Sequence, residues 1–281
     1  MIKDEDLKHA IDYSEGQKQA AYSVLGEIVN LLSEFTENMR IIGGWVPSLI
    51  FPDSNHIGSI DVDVLLNQEK IHREESYLTI RRILEKNGYR RHPEKFFTFV
   101  KTVIIGGASY EVDVDFLSGK YGGNGGTRSK HVDAIKTLPA TGGNLAFQFP
   151  AQEIEIEYIR PDGAKDVGHI NVISIVPYLV MKSAALGRGK PKDAYDIYFI
   201  IDHFPGGVRE LVKEFLPYRE YSLVKDMAQK LKEKFASLEH AGPSDIVSFL
   251  SITDEEERAR IQQDAYQKVS YLADSIFNNI T

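Results

Sequence analysis

The sequence predicts an α/β protein, with a strand-rich first part followed by an all-helical second part. Apolar and polar residues alternate over residues 60–66, 96–104, 110–117 and 153–160, the period of strands with one buried face. The three-and-four spacing of amphipathic helices governs residues 14–35 and nearly everything beyond Ser174. The texture changes between residues 165 and 175, which predicts one unit over 1–170 and a second over 171–281. A chain of 281 residues is long enough for two such units.

Each element has its own local cause. Ala21, Val24, Leu25, Ile28, Leu32 and Phe35 form one apolar stripe, so residues 14–35 read as the N-terminal helix. Arg40-Ile41-Ile42 runs into Gly43-Gly44, a short buried strand closed by a tight turn. Residues 45–50 begin a helix, with Pro47 in its first turn where the missing N–H costs nothing. Residues 68–87 follow as a helix ended by Gly88, and Gly106-Gly107 joins the next two strands as a hairpin. The glycine-rich stretch 121–127 reads as a surface loop, or as a flap over a site. Helices are then expected over 177–186, 193–202, 208–215 and 223–238. A last one starts at Asp254, with Thr253 as N-cap and Glu256 completing a capping box. No internal repeat is visible.

Composition narrows the chemistry. There is no cysteine, which removes disulfides, thiol catalysis, iron–sulfur clusters and cysteine zinc sites. The first residues carry no apolar signal segment, and no apolar run is long enough to cross a bilayer. A soluble, cytoplasmic protein is therefore expected. The net charge of −8 argues against indiscriminate nucleic-acid binding. Two stretches run the other way. Arg81, Arg82, Lys86, Arg90, Arg91, Lys95 and Lys101 face only Glu85 and Glu94, and Lys182, Arg188, Lys190 and Lys192 face no acid. Both read as solvated basic faces or as a positive funnel for a polyanion. The eight histidines, His56 and His131 among them, show no paired ligand spacing.

The most informative constellation is Ser59-Ile-Asp61-Val-Asp63-Val. Residues two apart on a strand share a face, so Asp61 and Asp63 present adjacent carboxylates. On an otherwise apolar strand these repel each other and are costly to desolvate unless a cation lies between them. Hard divalent ions prefer such oxygens. Val112-Asp113-Val-Asp115-Phe repeats the pattern on a second strand. Three carboxylates on two strands would build a two-metal phosphoryl-transfer site. Gly43-Gly44 would let a triphosphate approach the backbone at the start of the following helix. Lys182 is the only charge within the apolar helix of Val176, Leu179, Val180, Met181 and Ala184, and either snorkels to solvent or reaches a phosphate. Asp193 and Asp196 lie one helical turn apart; Asp193 also suits a helix N-terminus.

Gly43-Gly44-Trp45, Gly58-Ser-Ile-Asp61-Val-Asp63 and Val112-Asp113-Val-Asp115-Phe together resemble the nucleotidyltransferase superfamily of the DNA polymerase β type. Val180-Met-Lys182 with Lys192-Asp193-Ala-Tyr-Asp196 is similar to the AbiEii/AbiGii-type nucleotidyltransferases, toxins of toxin–antitoxin and phage-defence systems. The likeness covers roughly residues 38–203. It implies a nucleotidyltransferase-type mixed sheet with flanking helices and a C-terminal helical domain, the nucleotide lying between them. It implies Asp61 and Asp63 as metal ligands, with Asp113 or Asp115 as the third carboxylate. Gly43, Gly44, Ser59, Lys182, Asp193 and Asp196 become nucleotide contacts. The implied cofactor is Mg²⁺, or Mn²⁺ in its place. The implied reaction transfers NMP from an NTP to an acceptor hydroxyl on RNA, such as a tRNA end, or on a protein; a nucleotide-binding module without transfer is the alternative. An antitoxin would be a partner. Two departures stand out: the superfamily's Gly-Ser is here Gly43-Gly44, and the gap from Gly44 to Asp61 suggests an inserted loop around residues 51–56.

Overall fold

A computed structural model describes residues 7–71, 74–119 and 136–278. The glycine-rich stretch 121–127 and His131 lie outside the described residues. The protein is a mixed α/β chain built on an open mixed sheet of eight strands. It divides into two compact units. The first comprises Ser14–Ile50 and Gly58–Ser174. The second comprises Ile175–Thr281 together with Ile2–Tyr13 and Phe51–Ile57.

In the first unit, helix α1 (Glu15–Leu31) begins where Ser14 Oγ accepts the Gln17 N–H, a capping box the periodicity alone did not single out. Strand β1 (Met39–Ile42) leads through one tight turn, Gly43–Trp45, into the five-residue helix α2 (Val46–Ile50). Strand β2 (Val62–Leu66), helix α3 (Glu74–Lys86) and the two-residue strand β3 (Arg90–Arg91) follow. Strands β4 (Thr98–Ile105) and β5 (Ala108–Gly119) form the expected hairpin, pairing Ile105 with Ala108 across two glycines of positive φ. Three further elements complete the unit. Strand β6 (Leu138–Ala140) and helix α4 (Gly143–Ala146) are followed by the antiparallel pair β7 (Gln152–Ile159) and β8 (Lys165–Val172). The sequence reading missed β3, β6, α4 and β8. The first three are too short for a pattern, and β8 interrupts its alternation with Gly168.

The strand order is β3-β4-β5-β2-β1-β8-β7, with β6 paired to β5. Strand β2 runs antiparallel to β1 and parallel to β5, so it lies central, with Val62, Val64, Leu65 and Leu66 buried. One face, shared by Tyr110, Val112, Val114 and Phe116, packs under α1; a Cβ on Gly16 would meet the Tyr110 hydroxyl at 2.2 Å. The polar side chains of β2 and β5 therefore project from the other face.

The second unit is helical: α5 (Ile175–Ala185), α6 (Pro191–His203), α7 (Val208–Phe215), α8 (Ser222–Lys234), α9 (Ala241–Phe249) and α10 (Glu255–Asn278). Its core gathers Leu211, Phe215, Met227, Leu231, Phe235, Phe249, Val269 and Leu272. Helix α9 was not expected, because Gly242 and Pro243 near its start read as a loop. The cap of α10 also differs from expectation. The side chain that accepts a first-turn N–H is Asp254, from Glu257 at 2.8 Å, one residue beyond Thr253. Residues ahead of α1 dock on α9, with His9 Nδ1 3.0 Å from the Ser248 carbonyl and Tyr13 edge-on to Phe249. Residues 51–57, which include the segment where an inserted loop was expected, belong to this unit, although Ile50 and Gly58 on either side belong to the first.

Candidate active site

Register decides which carboxylates meet. On the parallel pair β2 and β5, Asp63 lies directly opposite Asp115, and cross-strand partners share a face at close range. Asp61 immediately precedes β2. Its backbone carbonyl accepts the Trp45 indole N–H at 2.8 Å, and its carboxylate accepts the Ser59 hydroxyl at 2.5 Å. Asp115 accepts the Thr98 hydroxyl at 2.5 Å. Burial first, and then the negative charges of Asp61 and Asp113, push the Asp115 carboxyl up to about 6, against the pull of Thr98 and Lys95. Asp61 lies close enough to Asp115 for its charge to oppose ionisation there, second to burial. Asp113, two residues earlier, lies 3.3 Å from the Lys95 ammonium. Asp61, Asp63 and Asp115 thus share the site, while Asp113, two residues earlier on β5, is the carboxylate that Lys95 bonds directly.

Gly43 completes this group. It follows β1, where Ile42 pairs with Asp63, and its φ of +75° lies in the region that favours glycine. A Cβ placed there would stand 1.8 Å from Asp63 Oδ2. The glycine therefore serves two purposes: it turns the chain, and it leaves the space the Asp63 carboxylate fills. Gly43→Ala is expected to lower stability by about 1–2 kcal/mol from the backbone conformation alone, and to displace the Asp63 carboxylate as well. A thermal melt measures the first effect and a titration with MgATP the second. A variant with wild-type melting and wild-type binding would show that the contact is unimportant.

Among the described residues, no three His, Asp or Glu side chains form a ready-made metal cage. The donor set nonetheless suits Mg²⁺, which takes one or two carboxylates and keeps water and substrate oxygens for the rest. Crowded carboxylates in a glycine-made recess, one with its proton affinity raised, are what a bound cation would relieve.

The second group of predicted residues forms a separate network within the helical unit. The Lys182 ammonium lies 2.8 Å from Asp193 Oδ1 and 2.8 Å from Asp196 Oδ2. Lys192 reaches both oxygens of Asp196 at 3.0 and 3.1 Å, and His56 Nε2 stands 2.9 Å from Asp196 Oδ1. Arg188, 62% exposed, comes within 3.6 Å of Asp193. Burial would raise the Asp196 carboxyl, but Lys182, Lys192 and His56 outweigh it and hold it far below the usual range. Burial likewise opposes the charge on Lys182, and Asp193 and Asp196 outweigh that to raise it. His56, stacked on Tyr195 and edge-on to Phe199, is lowered to about 4, chiefly by burial. Lys182 thus neither snorkels nor stands unpaired, since two buried carboxylates hold it. The positive charge of the stretch from Lys182 to Lys192 is correspondingly reduced, because two of its three lysines, Lys182 and Lys192, are held by buried carboxylates. Asp193 does sit in the first turn of α6, as its helix-terminus reading required.

The basic stretch before Lys101 is also partly spent. Arg81 pairs with Glu85, Arg90 with Glu111, Lys95 with Asp113 and Lys101 with Glu27. Three of these acids lie elsewhere in the sequence, so counting within the stretch overstated its charge. Arg90 and Arg91 nevertheless form the edge strand of the sheet. Thr98, Lys95, Lys192 and His56 went unrecognised as site residues. Only the adjacency of Lys192 to Asp193 could have drawn notice; the others depend on pairing between strands or across 140 positions of chain.

No family model and no curated protein matches this chain. No helix among the described residues is long and apolar enough to cross a membrane.

Proposed function

We propose that the first unit is a Mg²⁺-dependent nucleotidyltransferase that transfers NMP from an NTP to an acceptor hydroxyl. The observation that carries this reading is the register of Asp63 opposite Asp115, with Asp61 alongside and Gly43 making room for Asp63. Asp61 and Asp63 would hold the metal, whose charge would offset that of the triphosphate. The acceptor oxygen attacks the α-phosphorus, the bond to the bridging oxygen breaks, and pyrophosphate leaves. Asp115 serves the acceptor side. Thr98 occupies its Oδ1, so Oδ2 receives the hydroxyl proton, and a carboxyl near 6 can take up and release one around neutral pH. The Gly43-Gly44 turn supports the phosphates through the backbone, since α2 is too short to contribute much dipole. The narrower reading, an AbiEii-type toxin with RNA as acceptor and an antitoxin partner, rests on the likeness around Lys182, Asp193 and Asp196 in sequence. The buried network gives those residues a structural task of their own.

The test is incubation with Mg²⁺, total RNA and each NTP labelled at the α-phosphate. Label should pass to RNA, and Asp63→Asn should reduce transfer at least about 100-fold while the variant still folds. Mg²⁺ with NTP should also raise the melting temperature of the wild type and not of the variant. Equal transfer by both proteins would overturn the assignment. Label running with protein would move the acceptor from RNA to a protein side chain.

A further inference from the structure

We propose that Phe96 is a stacking platform for a nucleobase at the margin of the carboxylate site, an inference that rests on the nucleotidyltransferase reading. Phe96 is 58% exposed, and a ring of that size gains from burial when it can obtain it. The chain around it is pinned. His92 Nδ1 accepts the backbone N–H groups of Glu94 and Lys95 at 3.1 and 3.0 Å. The Thr98 N–H donates to the Lys95 carbonyl at 3.2 Å, and the His92 N–H to the Thr98 carbonyl at 2.9 Å. The ring is therefore presented by a closed turn, with a bonded residue on either side.

Its position ties it to the site. The preceding residue, Lys95, reaches Asp113, and two residues on, Thr98 holds Asp115. Both anchors of the turn thus end on carboxylates of β5. The Lys136 ammonium stands 5.9 Å from the Phe96 ring centroid, and Phe97 meets the ring edge-on at 5.3 Å. An exposed aromatic face, a neighbouring ring and the Lys136 ammonium match what a base with its phosphate requires: stacking for the one and positive charge for the other. Either the incoming NTP or the acceptor end could supply that base, and the chemistry is the same.

Binding measurements separate the sources. Wild type, Phe96→Ala and Phe96→Tyr are each titrated with MgATP, with a short single-stranded RNA, and with an abasic oligomer of equal length and charge. Phe96→Ala should weaken the stacked ligand about 5- to 100-fold, Phe96→Tyr should restore it, and the abasic oligomer should bind all three proteins alike. A loss confined to RNA assigns the platform to the acceptor, and one confined to MgATP assigns it to the donor. Wild-type affinity of Phe96→Ala for both ligands would overturn the role of Phe96 alone, as would an equal loss for the abasic oligomer. A wild type that binds neither MgATP nor RNA would overturn the transferase reading as well. The variants should melt like the wild type, because the ring is exposed.

Discussion

Replacing Lys182 by alanine should destabilise the helical unit by about 3–5 kcal/mol, the usual cost of removing one partner from a buried ion pair. The Lys182 side chain is 12% exposed, and its ammonium is shared at 2.8 Å by Asp193 and Asp196. Asp196 would retain Lys192 and His56. Asp193 would keep the looser approach of Arg188 at 3.6 Å, so it bears most of the loss. Urea unfolding followed by helical circular dichroism measures the effect. Lys182→Met combined with Asp193→Leu should recover much of it, because an apolar pair of similar size removes both buried charges together. Wild-type stability of Lys182→Ala would show that the network is dispensable and would return Lys182 to a phosphate role. Acid should weaken the same network. His56 titrates near 4 in the folded unit against about 6.5 unfolded. The unfolded chain therefore binds that proton first, and stability falls as pH drops from about 6.5 towards 4.

Asp115→Asn should do the opposite at neutral pH and make the protein more stable while abolishing the proposed transfer. The folded carboxyl is raised from 3.8 to about 6, chiefly by burial. The folded state therefore holds the proton more tightly than the unfolded one, and ionisation opposes folding. This cost is absent below about 3.8, grows with pH, and is complete above about 6. At 1.36 kcal/mol per pH unit it amounts to about 3 kcal/mol. Asparagine keeps the shape and can still accept the Thr98 hydroxyl. Melts across pH should show the variant more stable than wild type near pH 7 and equal to it near pH 3.5. A gain that does not change with pH, or no gain at pH 7, would remove Asp115 from the crowded carboxylate group. A residue that lowers stability where it stands is what a functional site tends to retain.

Local signals in the chain were enough for much of this. Alternation located β2, β4, β5 and β7, because each has one buried face and a clean period. The Gly106-Gly107 pair located the hairpin, since only a two-residue turn with positive φ at both positions fits there. The spacing of Asp61 and Asp63, and of Asp113 and Asp115, was enough to place each pair on one face. Elements without such a period were not legible: β6 has three residues, β8 carries a glycine in mid-strand, and α9 begins with Gly242 and Pro243. The choice of cap for α10 turned on a hydrogen bond one residue away from the expected one.

The chain on its own specified which side chains share a face, because that depends on helix and strand periods of a few residues. It also specified that carboxylates would crowd on two strands. Only the tertiary structure decided that β2 runs beside β5 in the register that opposes Asp63 to Asp115, leaving Asp113 to Lys95. Strand register is a non-local property, and a shift of one residue would have turned every carboxylate to the other face. Tertiary structure likewise decided the role of Lys182. In sequence it was a solitary cation in an apolar helix. In the fold, α6 brings two carboxylates to it and residues 51–57 bring His56 to the same cluster. Desolvation makes those contacts obligatory, because a buried charge without a partner costs more than the ordering needed to supply one.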